Sequence, residues 1–96
     1  LYTRGRRENV RVEGGMLVLE ARRERIENPQ SPGTFADYSS GSIETVDLAQ
    51  WQFGYFEVRA KVPTGRGTWP AIWMLPPTIR QVGWPTCGEI DIMEHV

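Results

Sequence analysis

From Tyr55 to Val62 the chain alternates without a break, with Phe56, Val58, Ala60 and Val62 in one set and Tyr55, Glu57, Arg59 and Lys61 in the other. A period of two sorts side chains onto opposite faces of a strand, and no helical stripe has that spacing. Pro63-Thr64-Gly65-Arg66-Gly67 ends the run in a loop. Glu8 to Glu13 repeats the pattern, with Val10 and Val12 opposed to Asn9, Arg11 and Glu13, and Gly14-Gly15 reads as a tight turn. Met16 to Arg22 is more apolar at its start, as in a strand covered on both sides. Asn28 to Thr34, with two prolines and a glycine, is a loop. Thr45 to Phe53 is read as a strand followed by a loop, although Val46, Ala49 and Phe53 would also suit a short helix. Strands this close together without helical connectors predict an all-β fold, an antiparallel β-sandwich of the jelly-roll type. No repeat and no internal domain boundary is visible.

Composition narrows the function classes. Ninety-six residues with 40% hydrophobic, 24% charged and a net charge of −1 fit a globular unit or part of one. Ten percent aromatic residues and regular alternation predict a packed core and exclude disorder. The uncharged stretch Gly67 to Thr78 holds three prolines, so it cannot form the roughly 20-residue apolar helix that spans a bilayer. Near-neutral charge argues against a nucleic-acid partner, which calls for a basic face. Arginines and glutamates interleave through Arg22-Arg23-Glu24-Arg25, the pattern of a solvated face with local ion pairs. Cys87 is the single cysteine, which excludes an internal disulfide, and it reads as a small packed residue.

Two neighbouring segments carry chemistry. In Gly67-Thr68-Trp69-Pro70-Ala71-Ile72-Trp73-Met74-Leu75, period two puts Trp69 and Trp73 on one face with Ala71 between them. At about 3.3 Å per residue the two indoles stand roughly 13 Å apart, the span of two or three pyranose rings. Sugar rings present apolar C–H faces and polar edges, which suit such a platform, although both tryptophans could equally be sheet core.

Gly88-Glu89-Ile90-Asp91-Ile92-Met93-Glu94-His95 is the more specific segment. Alternation puts Glu89 and Asp91 on one face and Ile90 and Ile92 on the other, in the core. Strict alternation would then bury Glu94 among the isoleucines, at high cost for an unpaired carboxylate. A β-bulge near Ile92-Met93 adds one residue and returns Glu94 to the acidic face. Two carboxylates about 6.6 Å apart repel by roughly 0.6 kcal/mol in water and about 2.5 kcal/mol at an effective dielectric of 20. One acid holding its proton beside an ionised one relieves that repulsion, and the pair is what glycoside cleavage needs. Inward-leaning Glu89 and Glu94 could close to the roughly 5 to 5.5 Å of a retaining pair, with Asp91 between them to hydrogen-bond the nucleophile. The competing reading is an acidic strand face exposed to solvent or holding a cation.

The run Gly88 to Val96 resembles the active-site strand of glycoside hydrolase family 16, in the bulged Glu-x-Asp-x-x-Glu form of laminarinase-like enzymes. Gly65 to Leu75, Phe56 to Pro63 and Glu8 to Val12 are similar to other parts of that family's pattern. The resemblance implies a concanavalin A-like jelly roll, of which residues 1–96 are the N-terminal to central part, with strands missing at both ends. It implies Glu89 as nucleophile, Glu94 as general acid/base and Asp91 as the assisting carboxylate. Trp69, Trp73 and Trp84 would line the glycone subsites, and Asn9 would contact a sugar hydroxyl. The implied reaction is retaining endo-hydrolysis of β-1,3-glucan by a monomeric enzyme that needs no catalytic cofactor, and secretion is expected because polysaccharides of this size are degraded outside the cell. Many members bind a structural calcium ion, whose carboxylate ligands would lie mostly outside these residues, with a backbone carbonyl near Gly15 a weak candidate.

Ser42 departs from the pattern, standing where many relatives carry an arginine. With strands missing, the 96 residues alone are expected to be inactive and poorly folded. Two alternatives stay open: a non-catalytic β-glucan-binding module, and a retaining hydrolase of agarose, carrageenan or mixed-linkage glucan. His95 reads first as a satisfied edge histidine, and Arg59 is unassigned.

Overall fold

Gly14 and Gly15 adopt φ of 57° and 75°, the left-handed pair that a two-residue hairpin turn requires. They join β1 (Val10–Glu13) to β2 (Met16–Leu19) in an antiparallel ladder that runs from Val10 opposite Leu19 to Glu13 opposite Met16. The computed structural model describes residues 1–96, which divide into two units, Leu1–Glu44 and Thr45–Val96. The division follows the polar run Ser39-Ser40-Gly41-Ser42, a composition shift too short to read as a linker.

The first unit holds a second hairpin, β3 (Arg22–Glu27) with β4 (Phe35–Ser39). Its connection is the anticipated loop, in which the Asn28 amide donates to the Thr34 carbonyl and Asn28 Oδ1 accepts from the Gln30 amide. The pairing jumps from Arg23–Tyr38 to Ile26–Ala36, so β3 carries one extra residue, a β-bulge. Arg25 lies 4.4 Å over the Phe35 ring. Polar, arginine-rich β3 shows no alternation a sequence reading could use, and it had not been anticipated as a strand.

In the second unit, β5 (Ala71–Met74) pairs antiparallel with β6 (Ile90–Glu94), and the short helix α1 (Ile79–Val82) lies between them in sequence. Gly83, with φ of 79°, closes the helix by donating its amide to the Ile79 carbonyl. The sequence reading had placed no helix here. At Thr45 to Phe53 the structure has a turn where a strand was expected: the Leu48 and Ala49 amides both donate to the Thr45 carbonyl, and Asp47 takes φ of 59°.

Tyr55 to Val62 is not a paired strand. Its alternation survives locally, since Tyr55 Oη donates to Glu57 Oε2 on the same side at 3.3 Å. Trp51 meets Phe56 edge-on at 6.0 Å. A strand needs a neighbour as well as a pattern, and none of the three two-stranded sheets includes this segment.

The expected packed core is also absent, since no hydrophobic residue is buried and the buried side chains are Asn9 and Ser39. Met16 and Leu17, read as covered on both sides, are exposed, because a two-stranded ribbon has no second layer to cover them. The chain exposes 8782 Å², against about 5,600 Å² for a folded protein of its mass and about 16,000 Å² for the extended chain. The three strand pairs are nonetheless antiparallel, as the fold class requires, and only the isolated bridge between Tyr2 and Ser40 is parallel.

Candidate functional site

On β6 the register runs Met74–Ile90, Trp73–Asp91, Ile72–Met93, Ala71–Glu94. Ile92 is therefore the extra residue, left without a partner on β5. Residues directly across a ladder share a face, and so do residues two apart on one strand. Trp73 and Ala71 share a face on β5, so Asp91 and Glu94 share that face on β6. Without the bulge, Glu94 would fall with Ile72, Met74, Ile90 and Ile92. The kink expected near Ile92-Met93 is present, and it does what the burial argument required. The His95 amide extends the pairing by donating to the Pro70 carbonyl at 3.1 Å.

Two indoles fix the outer carboxylates. Trp69 Nε1 donates to Glu94 Oε1 at 2.9 Å, and Trp84 Nε1 donates to Glu89 Oε2 at 2.7 Å. Trp69 precedes β5 on the Ala71–Trp73 face, and Trp84 begins the turn that leads to Glu89, where the Trp84–Pro85 peptide is cis. Alternation gives Trp69 as a sugar-stacking surface and the family resemblance gives Trp84 as a subsite residue, and neither points to their N–H groups as partners of the acids. An indole is a donor only and an ionised carboxylate an acceptor only, which is the one signal that could have suggested the pairing. Trp69, Trp73 and Trp84 are all more than half exposed, so their rings are free to meet a ligand.

Asp91 departs from its expected contact. It makes no hydrogen bond to Glu89, whose side-chain partner is instead Trp84 Nε1. Ile90 and Ile92, expected in the core, are 64% and 41% exposed, since nothing in this chain covers that side of the β5–β6 ribbon.

Asn9 has a different place from the one expected. Its side chain has no exposed surface: Nδ2 donates to the Glu20 carbonyl and to Ser39 Oγ, each at 2.9 Å, and Oδ1 accepts from Thr3 Oγ1 at 2.7 Å. A residue whose polar atoms are spent in this way cannot reach a sugar, and Asn9 instead ties β1 to the end of β4. Ser39 Oγ passes the chain on by donating to Glu24 Oε1. Arg6 grips the same carboxylate with both terminal nitrogens, at 2.6 and 3.0 Å. The Arg6 fork and the Ser39 hydroxyl hold the Glu24 carboxyl at about 2, well below its ordinary 4.5. The interleaved charges thus form a non-local pair here, alongside local ones from Arg11 to Glu13 and from Arg22 to Glu20.

No group of three or more metal-ligating His, Cys, Asp or Glu side chains comes together.

Residues 56–96 match the family model described as XgeA-like, catalytic GH16 domain. The chain is 53% identical to a beta-glucanase of Rhodothermus marinus, over 99% of this chain and 32% of that protein. It is 45% identical to glucan endo-1,3-beta-glucosidase A1 of Niallia circulans, over 91% of this chain and 13% of that protein. The crystal structure of the laminarinase catalytic domain from Thermotoga maritima superposes with a TM-score of 0.85 at 48% identity, covering 98% of this chain and 35% of that one. The chain is a laminarinase-like segment of a glycoside hydrolase family 16 catalytic domain. It spans about a third or less of the length of these relatives. Within the family 16 jelly roll, the β5–β6 ribbon carries the bulged acidic strand.

Proposed function

We propose that the protein containing this segment hydrolyses β-1,3-glucan internally and with retention. The observation that carries the reading is the unpaired Ile92, which turns Glu94 to the face of Asp91 and Trp73. In the first step a Glu89 oxygen forms a bond to the anomeric carbon as the glycosidic C–O bond breaks, and Glu94 gives its proton to the departing oxygen. In the second step Glu94, now ionised, takes a proton from water, whose oxygen displaces Glu89 from the anomeric carbon. Asp91, between them in sequence, adjusts the charge felt by both. Trp69, Trp73 and Trp84 offer ring faces to successive glucose units. The relatives named for action on glucans support this substrate class. Action outside the cell, as a monomer, belongs to the same proposal, since a polysaccharide is too large to enter one.

The test uses the full-length polypeptide that carries residues 1–96. Reducing ends should appear from laminarin, the newly formed anomer should keep the β configuration by proton NMR, and Glu89→Gln should abolish both. Equal activity in Glu89→Gln would remove Glu89 from the nucleophile's role.

A further inference from the structure

The two indole contacts are selective. Trp84 reaches only Glu89 and Trp69 reaches only Glu94, each through one carboxylate oxygen, and the second oxygen of each acid takes no protein hydrogen bond. Asp91, the remaining acid on this strand, receives no indole. The two donors come from different places, one five residues before its acid and one from the segment that leads into the strand across the ladder, so a single local turn does not produce both.

We infer that Trp84 and Trp69 are positioning residues, each holding one oxygen of a reactive carboxylate so that the other oxygen faces the bond being cleaved. This rests on the retaining reading above. With Glu89 Oε2 held, Oε1 is the atom that attacks the anomeric carbon. With Glu94 Oε1 held, Oε2 carries the proton that goes to the departing oxygen. The indole is suited to this because it has one donor, no acceptor and a rigid ring. It cannot take the proton that Glu94 must deliver. The same ring also stays exposed for a sugar, so stacking and positioning use different parts of one side chain.

Trp→Phe separates the two roles, since it keeps an aromatic face and removes the N–H. In the full-length polypeptide, Trp84→Phe should lower kcat on laminarin about tenfold while KM stays within about twofold, because the nucleophile is disordered and the ring remains. Trp69→Phe should show a similar loss on laminarin that shrinks to about twofold on a dinitrophenyl β-laminaribioside, whose leaving group needs no proton. Trp84→Phe should lose activity on both substrates alike, because nucleophilic attack is common to them.

A second measurement does not depend on the Phe variants folding or on turnover. In the wild-type protein labelled with ¹⁵N at tryptophan, Glu89→Gln should move the Trp84 indole proton upfield and leave Trp69 in place, and Glu94→Gln should do the reverse, since a neutral acceptor bonds more weakly than a carboxylate. Indole signals indifferent to both substitutions would overturn the inference, as would a Trp69→Phe loss equal on the two substrates or a change confined to KM. The retaining reading fails separately, on full activity in Glu89→Gln, whatever the indole signals do.

Discussion

Glu94 stands directly across the β5–β6 ladder from Ala71, and it does so because Ile92 has no partner. Deleting Ile92 removes the bulge while Met93 and Glu94 keep Ile72 and Ala71 as partners, so Glu94 stays on the face of Asp91. The expected result in the full-length polypeptide is laminarin hydrolysis retained within about tenfold. Inserting an alanine between Met93 and Glu94 turns Glu94 to the side of Ile72 and Met74 and should lower hydrolysis about a thousandfold, the scale of losing a general acid. Assay of reducing ends for the two variants side by side checks the prediction, and an insertion variant as active as the deletion variant would contradict it.

Asn9→Ala should act on stability and leave substrate affinity alone. The substitution strips partners from Thr3 Oγ1, Ser39 Oγ and the Glu20 carbonyl, of which Ser39 is fully buried. A cost of about 1 to 3 kcal/mol is expected in urea unfolding, with KM for laminarin unchanged. A raised KM at unaltered stability would return Asn9 to the substrate site.

The Arg6–Glu24–Ser39 cluster sets an acid limit. Glu24 has a folded-state carboxyl near 2, below its ordinary 4.5, so it binds protons more weakly when folded. Its contribution to stability is fully present above about 4.5 and is lost as pH falls through that value toward 2. Measured between pH 6 and pH 2, the melting temperature of Glu24→Gln should fall less steeply than that of the wild type. Parallel curves would show that Glu24 is not linked to folding.

Much of this was legible because it depends on near neighbours in sequence. The Gly14-Gly15 turn, the loop from Asn28 to Thr34 and the bulge ahead of Glu94 each follow from a local conflict or a local conformational need. The misses share a different cause. Tyr55 to Val62 has the right alternation without a partner strand, and the apolar faces of β2 and β6 have no layer over them, so pattern alone could not report pairing or burial. Asn9 looked like one polar residue on a wet face of β1, yet its partners lie at Thr3, Glu20 and Ser39. Glu24 found Arg6 across 18 residues while three arginines stood beside it in sequence. Distant pairings of this kind leave no periodic trace.

Gly41 offers a sharper steric test. A methyl group there would lie 2.4 Å from the Asn9 carbonyl oxygen and 2.6 Å from Val10 Cγ2, too close for the backbone of β1 to stay in place. Gly41→Ala should destabilise the protein by about 1 to 3 kcal/mol. Gly65→Ala, whose added carbon meets only Thr68 Cγ2 at 3.6 Å, should stay within about 0.5 kcal/mol of the wild type. Urea midpoints of the two variants decide the matter, and equal midpoints would mean that the Asn9–Gly41 contact is not formed.

The 96 residues on their own should not unfold cooperatively. Cooperative melting comes from an apolar interior that is lost all at once, and no hydrophobic side chain here is buried. Trp69, Trp73, Trp84, Ile90 and Val12 are each more than half exposed. Relative to the extended chain, about 45% of the surface is removed from water where a complete domain of this mass removes about 65%. The ladders and the buried polar cluster around Asn9 supply hydrogen bonds, whose net contribution of about 1 kcal/mol each is offset by the entropy of ordering the backbone. The isolated polypeptide should therefore show a broad, shallow thermal transition by far-ultraviolet circular dichroism, bind a hydrophobic dye strongly, and release no reducing ends from laminarin. A sharp calorimetric transition from residues 1–96 alone would mean that the exposed faces close on one another in solution.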